Sequence, residues 1–264
     1  MISADSAALY RELPVVTAAP GYPAELVGVV PLEEEVSVGW YQREAHAAID
    51  RSDVPLVVGG TGLYLRAALA ALDLPPALSE RRGHWRAEVE RLGPDAAHEL
   101  LAECDPAAAA RVHPNDVKRL VRALELAEAG SSLAPETDRL WTEDTRHPTT
   151  IVALDVPLGE LDRRIEVRTR AMVEQGAVEE ARAAWSRPLS DTARKVLGLE
   201  EFATLPVDDA IDAVVAATRR LARYQRKWLR RLPVAATLDA DRPPERVADE
   251  IVAMAGAGER LPRS

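Results

Sequence analysis

The run Val57-Val58-Gly59-Gly60-Thr61-Gly62-Leu63-Tyr64 carries residues that could hold an anion. Its valines suit a buried strand, and a helical pattern opens just after its last glycine. In parallel sheets, ligands bind beyond the carboxyl ends of the strands. Glycines let a ligand approach the backbone, and a helix start offers N–H groups to negative charge. A tight strand-to-helix turn needs the same residue types, so both readings stand. A second stretch, Ile2-Ser3-Ala4-Asp5-Ser6, ends an apolar stub in an acid and a hydroxyl. Such an acid could act as a general base, or the pair could close a turn or cap a helix.

Three further groups are cationic. In His113-Pro114-Asn115-Asp116-Val117-Lys118-Arg119, Asn115 or Asp116 caps a helix, and Arg119 and Arg122 share a face three residues apart. That face could hold RNA phosphates or be solvated. His113 has no partner at ligand spacing and is not read as a metal ligand. Arg164 and Arg168, one helical turn apart, could clamp a diphosphate. Glu166 and Arg170 have the same spacing, so a salt-bridged surface fits too. A long helix from Asp208 to Arg231 sets Arg219, Arg223, Arg226 and Arg230 on one face and Val214, Leu221 and Trp228 on another. A basic stripe backed by an apolar stripe suits a helix packed on a core and turned toward a polyanion.

These groups need elements to position them. Leu26–Val30, Pro55–Val58, Thr150–Asp155 and Val234–Leu238 read as short buried strands, with helical spacing between them. The alternation predicts an α/β protein with a mostly parallel sheet and helices on its faces. Residues 75–132 break the alternation and read as a helical insertion, entered at Pro75-Pro76 and left at Gly130-Ser131-Ser132. Residues 1–74 and 133–255 then form the core in two parts, with 133–149 as the returning loop and 256–264 as a loose tail.

The 264 residues are 47% apolar, enough for a sizeable core. No run approaches the ~18 apolar residues of a membrane span, and the first residues do not read as a signal peptide. A single cysteine, Cys104, excludes an internal disulfide and fits a reducing cytoplasm. The net charge of −10 opposes general polyanion binding. The cations are clustered, however, with seven Lys/Arg between Arg219 and Arg231. A polarised molecule of this kind can bind RNA locally.

Taken together, the segments resemble the tRNA dimethylallyltransferase family over nearly the whole chain and in the family's order. Asp5-Ser6 through Tyr10 is similar to its D-S-x-x-x-Y, and Val58 to Tyr64 to its V-G-G-T-G-L-Y. Asp105-Pro106, His113 to Asp116 and Arg119 to Glu125 are similar to its D-P…H-P-N-D-x-x-R-x-x-R-A-L-E. Thr218-Arg219, Ala222-Arg223 and Gln225 to Trp228 are similar to its late T-R-x-x-A…Q-x-x-W segment. The resemblance implies a P-loop-NTPase-like fold. It implies transfer of a five-carbon allylic group from dimethylallyl diphosphate to the exocyclic amine of the adenosine 3′ of the anticodon. By resemblance Asp5 takes the amine proton, while Arg168 and Thr61, with Arg164 beside them, help neutralise the leaving diphosphate together with Mg²⁺. The adenine leaves its stack to react, so the family grips the anticodon stem-loop. The implied RNA contacts here are Asp5, Ser6, Ala7, Ala8, Thr61, Arg82, Lys118, Arg119, Arg122, Lys195, Gly198, Arg219 and Arg223. The resemblance also implies a monomer.

The family pattern begins with a strand and a loop of the form G-x-x-x-x-G-K followed by Ser or Thr, which cradles the diphosphate. None of the fourteen glycines begins such a motif. The metal site expected at that loop is therefore unassigned. The pattern expects roughly 35 further residues, from typical strand–loop–helix spacing. The expectation is a chain that starts inside the second strand through a late-called start codon, folds poorly alone and is inactive as written. In-frame DNA upstream of codon 1 tests this, and a stop codon there with no G-K-T or G-K-S coding sequence refutes it. Smaller departures are Ala8 for Gln, Val16 for Gly, Ala19 for Lys, Leu199 for Tyr and Tyr224 for Arg. A decayed RNA-binding paralogue and a small-molecule kinase are the competing readings. The late basic helix and the H-P-N-D segment oppose the kinase.

Overall fold

The structure, a computed structural model, describes residues 1–74, 79–134 and 142–258, with side chains left out for 79–82 and 257–258. It divides into two compact units, residues 1–71 with 140–264, and residues 72–139.

In the first unit, β1 (Ile2–Ser3) pairs in parallel with β2 (Val57–Val58), aligning Ile2 with Val57 and Ser3 with Val58. β3 (Val152–Asp155) and β4 (Ala236–Asp239) form a separate parallel pair. The expected continuous sheet is thus corrected to two pairs among the described residues. Leu26–Val30 is corrected too, because within it only Val30 makes an isolated bridge, to Tyr10, and Glu25 just before it bridges Ile2. Leu26 and Gly28 sit at φ of 62° and 61°, a left-handed turn that breaks extension. Parallel sheets are usually covered on both faces. Here Val54, Leu56 and Val58 beside β2, and Leu154 and Leu158 beside β3, are exposed.

Helices surround these pairs. α1 (Val38–Asp50) is capped by Ser37, whose hydroxyl accepts from Trp40 N, and it buries Tyr41, Ala45, Ala48 and Ile49 at helical spacing. α2 (Gly62–Leu69) packs on α1. The buried Arg66 ties α2 to the returning loop by donating to the Asp144 carbonyl at 3.1 Å. Arg146 N donates to the Leu69 carbonyl at 2.8 Å from the same loop.

The second unit has four helices among its described residues: α3 (Ser79–Leu92), α4 (Pro94–Cys104), α5 (Pro106–Ala109) and α6 (Val117–Glu128). Leu101, Leu120 and Leu124 fill their common core. The D-P and H-P-N-D segments act here as helix starts. Asp105 caps α5 by accepting from Ala108 N, and also accepts from the Ser132 hydroxyl at 2.6 Å. Asp116, rather than Asn115, caps α6 by accepting from Arg119 N. His98 Nε2 bridges the carbonyls of Ala109 and Val112, a use that requires the N–H tautomer.

The chain returns through α7 (Leu158–Glu174), α8 (Ala177–Trp185), a 3-10 turn at Ala193–Lys195 and α9 (Leu199–Thr204). The 23-residue α10 (Val207–Leu229) packs against α2, α7 and α9, and α11 (Pro244–Gly258) follows β4. No helix among the described residues is long and apolar enough to cross a membrane.

Candidate active site

Asp5 stands just beyond the carboxyl end of β1. Ile2 N donates to the Leu56 carbonyl and Ala4 N to the Val58 carbonyl, so the register of β1 on β2 fixes where the acid emerges. Asp5 Oδ1 accepts from Ala7 N at 2.9 Å, a local turn that orients the carboxylate. From α1, the Tyr41 hydroxyl donates to the Ser3 carbonyl at 2.9 Å inside the core. The Tyr41 and Tyr64 rings pack tilted at 4.3 Å between centroids. Burial pushes the Tyr64 hydroxyl up to about 12, with Tyr10 and Asp5 adding to the effect, and it raises Tyr41 as well. Both phenols are therefore protonated near neutral pH. Tyr10, also raised by burial, donates to Thr192 Oγ1 at 2.6 Å.

The glycines of the Val57–Tyr64 run serve the protein's own packing. A Cβ on Gly59 would lie 2.4 Å from the Ala4 carbonyl oxygen. A Cβ on Gly60 would meet the Gln225 amide at 2.4 Å, and one on Gly62 the Trp228 ring at 2.2 Å. The run is thus clamped between the tip of β1 and the face of α10 that carries Gln225 and Trp228. Thr61 is the residue before α2, and its side chain makes no cap bond to the helix, leaving the hydroxyl for other use. Gln225 and Trp228 were not among the expected site residues. Their three-residue spacing in Gln225-Arg226-Lys227-Trp228 was the available signal.

Gly59→Ala should therefore push the β1 tip and lower stability by about 1–3 kcal/mol, because the opposing atoms are backbone. A thermal melt checks this, and an unchanged midpoint contradicts the contact.

The cations are less free than their spacing suggests. Arg164 reaches Glu160 at 2.7 Å and Asp241 at 2.5 Å, whereas Arg168 is exposed and makes no ion pair among the described residues. Arg219 faces Asp162 at 3.4 Å and Glu166 at 3.9 Å, and Arg226 pairs with Asp155. Arg223, 61% exposed, only grazes Asp162 at 4.0 Å. The expectation of four arginines along one face open to a polyanion is corrected for Arg219 and Arg226, which meet carboxylates of α7 and β3. The apolar stripe is corrected at Leu221, which is 43% exposed while Val214 is buried. Arg122 turns to the fully buried Glu125 at 2.8 Å, so it does not share an open face with the exposed Arg119. Lys118 and Lys195 are exposed, and the Arg82 side chain lies outside the described residues. Gly198 sits at φ +93°, a conformation that favours glycine, and its N–H donates to Glu201. Ser6 and Ala7 are half-buried, while Ala8 is buried and has no free face to offer RNA.

Arg163 and Arg164 together hold Glu160 down at about 2, against an ordinary 4.5. A depressed carboxylate contributes stability above its unfolded value and loses it as pH falls through the folded one. Melting of the wild type should fall between about pH 4.5 and 2 more steeply than that of Glu160→Gln. Parallel acid profiles for the two proteins would contradict these ion pairs.

A cleft of about 570 Å³ lies beside β3, with Ala153, Leu154 and Leu229 along it and Arg223 and Arg226 among its cations. Asp5 and Thr61 do not line it. Among the described residues no group of three or more His, Cys, Asp or Glu could hold a metal. Among the described residues, then, no cluster of such side chains forms a metal site by itself.

The order of these segments matches a known family. The family model described as IPP transferase matches residues 8–232. The chain belongs to the IPP transferase family. A tRNA dimethylallyltransferase of Kineococcus radiotolerans is 39% identical over 250 residues, covering 88% of this chain and 78% of the relative. One from Salinispora tropica is 37% identical, covering 91% and 80%. The tRNA isopentenylpyrophosphate transferase of Bacillus halodurans superposes with a TM-score of 0.66 at 28% identity, covering 98% of this chain and 88% of that one. A eukaryotic dimethylallyltransferase acting on tRNA superposes at 0.72 with 21% identity, covering 96% and 72%, a likeness of fold. As an IPP transferase family member the chain is a transferase of the tRNA dimethylallyltransferase type.

Proposed function

We propose that the chain transfers a dimethylallyl group from dimethylallyl diphosphate to the exocyclic amine of the adenosine 3′ of the anticodon. The observation that carries this reading is the placement of Asp5 at the tip of β1, against a glycine run locked by Gln225 and Trp228. Adenine's amine is a poor nucleophile because its lone pair is delocalised into the ring. Asp5 takes its proton as the amine nitrogen bonds to the allylic carbon. The bond from that carbon to oxygen breaks, and diphosphate leaves with the electron pair. Arg168 and the Thr61 hydroxyl stabilise the departing oxygens, and Arg164 can join by releasing Asp241.

From the first unit Ser6, Ala7, Lys195, Gly198 and Arg223 would contact RNA, with Arg219 acting from its ion pairs; the second unit would by itself offer Lys118 and Arg119, with Arg122 acting from its ion pair. The chain has no P-loop motif, so we infer that transfer requires a phosphate-binding loop joined to these residues. A second reading follows from that same feature. A decayed paralogue would keep Arg223 and its neighbours and grip RNA without reacting. A cytoplasmic monomer suits either reading.

The test uses radiolabelled dimethylallyl diphosphate and an anticodon stem-loop, with a P-loop-bearing form of the chain. Label should enter the stem-loop, and should not enter one whose target adenosine is replaced by purine riboside, which lacks the amine. Equal labelling of both RNAs would overturn the assignment of the acceptor. RNA binding with no transfer would favour the paralogue.

A further inference from the structure

The late basic helix carries one residue that the proposed reaction leaves without a task. Tyr224 stands where the resemblance expects Arg, and it is 56% exposed. Its ring meets Trp228 edge to face, at 6.3 Å and 75°. Trp228 in turn rests on Gly62, next to Thr61. Leu221 is exposed one turn before Tyr224. Leu221, Tyr224 and the half-buried Trp228 therefore form an apolar stripe along α10, with Tyr224 as its exposed aromatic ring. Arg220, Arg223 and Lys227 flank it as exposed cations, while the acids of α10 lie at its other end, at Asp208, Asp209 and Asp212.

We infer that Tyr224, braced by Trp228, is a stacking platform for an unpaired nucleobase of the RNA loop, a specificity-determining contact resting on the proposed function. The flanking charge selects the occupant. A polyanion is attracted to this stripe, whereas a second copy would bring Arg220, Arg223 and Lys227 against their own like charges. Single-stranded nucleic acid binds where a cationic track is interleaved with aromatic faces, because every base offers a π-face. A ring that is more than half exposed loses water from an apolar face on stacking. Its brace against Trp228 limits the rotamer freedom that stacking would otherwise remove.

The experiment titrates the full chain into an anticodon stem-loop carrying 2-aminopurine beside the target adenosine. Stacking on Tyr224 should quench the fluorophore. Tyr224→Ala should weaken binding by roughly tenfold and abolish most of the quench, given the usual worth of one base–aromatic stack. Tyr224→Phe, which keeps the face and loses only the hydroxyl, should restore both. Melting curves of the variants should coincide, since the residue is exposed. If the wild type binds and Tyr224→Ala matches it in affinity and quench, the platform is refuted while the proposed function stands. A concentration-dependent dimer that Tyr224→Ala dissolves would assign the stripe to self-association and overturn the inference. If the wild type ignores the stem-loop altogether, the RNA reading fails first and the platform with it.

Discussion

Placing a β-strand and a G-x-x-x-x-G-K-Ser/Thr loop, taken from a relative, ahead of Ile2 should raise prenyl transfer well above that of the 264 residues alone. Both phosphate binding and packing favour such a segment. The sequence carries no G-x-x-x-x-G-K-Ser/Thr loop to wrap a diphosphate in backbone N–H groups, and Arg168 with Thr61 supplies one full cation and one hydroxyl. The parallel pairs β1–β2 and β3–β4 also leave Leu56, Val58 and Leu154 bare. Covering such residues is worth ~1.5–3 kcal/mol for each one fully buried. For partial burial of several, the extended form should melt about 5–10 °C higher. Calorimetry and the transfer assay check packing and phosphate binding separately. An extended protein with the same melting point would refute the packing argument, and equal transfer by the unextended chain would refute the need for the loop.

Asp5→Asn in the extended form should reduce kcat by about 10²–10⁴-fold, the usual contribution of a positioned general base. The substitution is chosen for its geometry. The Asn Oδ1 still accepts from Ala7 N, so the turn that orients residue 5 persists and the fold is kept. RNA affinity should change little. Full activity in this variant would remove Asp5 from the mechanism. Tyr64 cannot take its place near neutral pH, because its hydroxyl is held near 12.

Much of this arrangement was legible in the residues, and the rest was withheld for identifiable reasons. The acid after β1 and the glycine run after β2 are local signals, each an apolar stub ending in residues that turn. The cap at Asp116 is local as well. Leu26–Val30 reads as a strand by composition. Its conformation is instead set by contacts remote in sequence, with Gly28 N and Val30 N donating to the carbonyls of Ala8 and Leu9. The basic stripe of α10 is visible at helical spacing, but the carboxylates opposite it come from α7 and β3, about 50–70 residues away along the chain. Glycine run and Gln225-x-x-Trp228 could each be read alone. That one exists to admit the other is a tertiary fact, and sequence spacing does not encode it.

The most direct measurement of the central claim is nucleoside mass spectrometry of the RNA product. An anticodon stem-loop incubated with dimethylallyl diphosphate and the extended protein is digested to nucleosides and compared with an untreated control. The account predicts one modified nucleoside, an adenosine bearing a five-carbon allylic group on its exocyclic nitrogen, at the position 3′ of the anticodon. A prenyl group on another base, or no modified nucleoside while the protein turns over a different phosphorylated substrate, would contradict it.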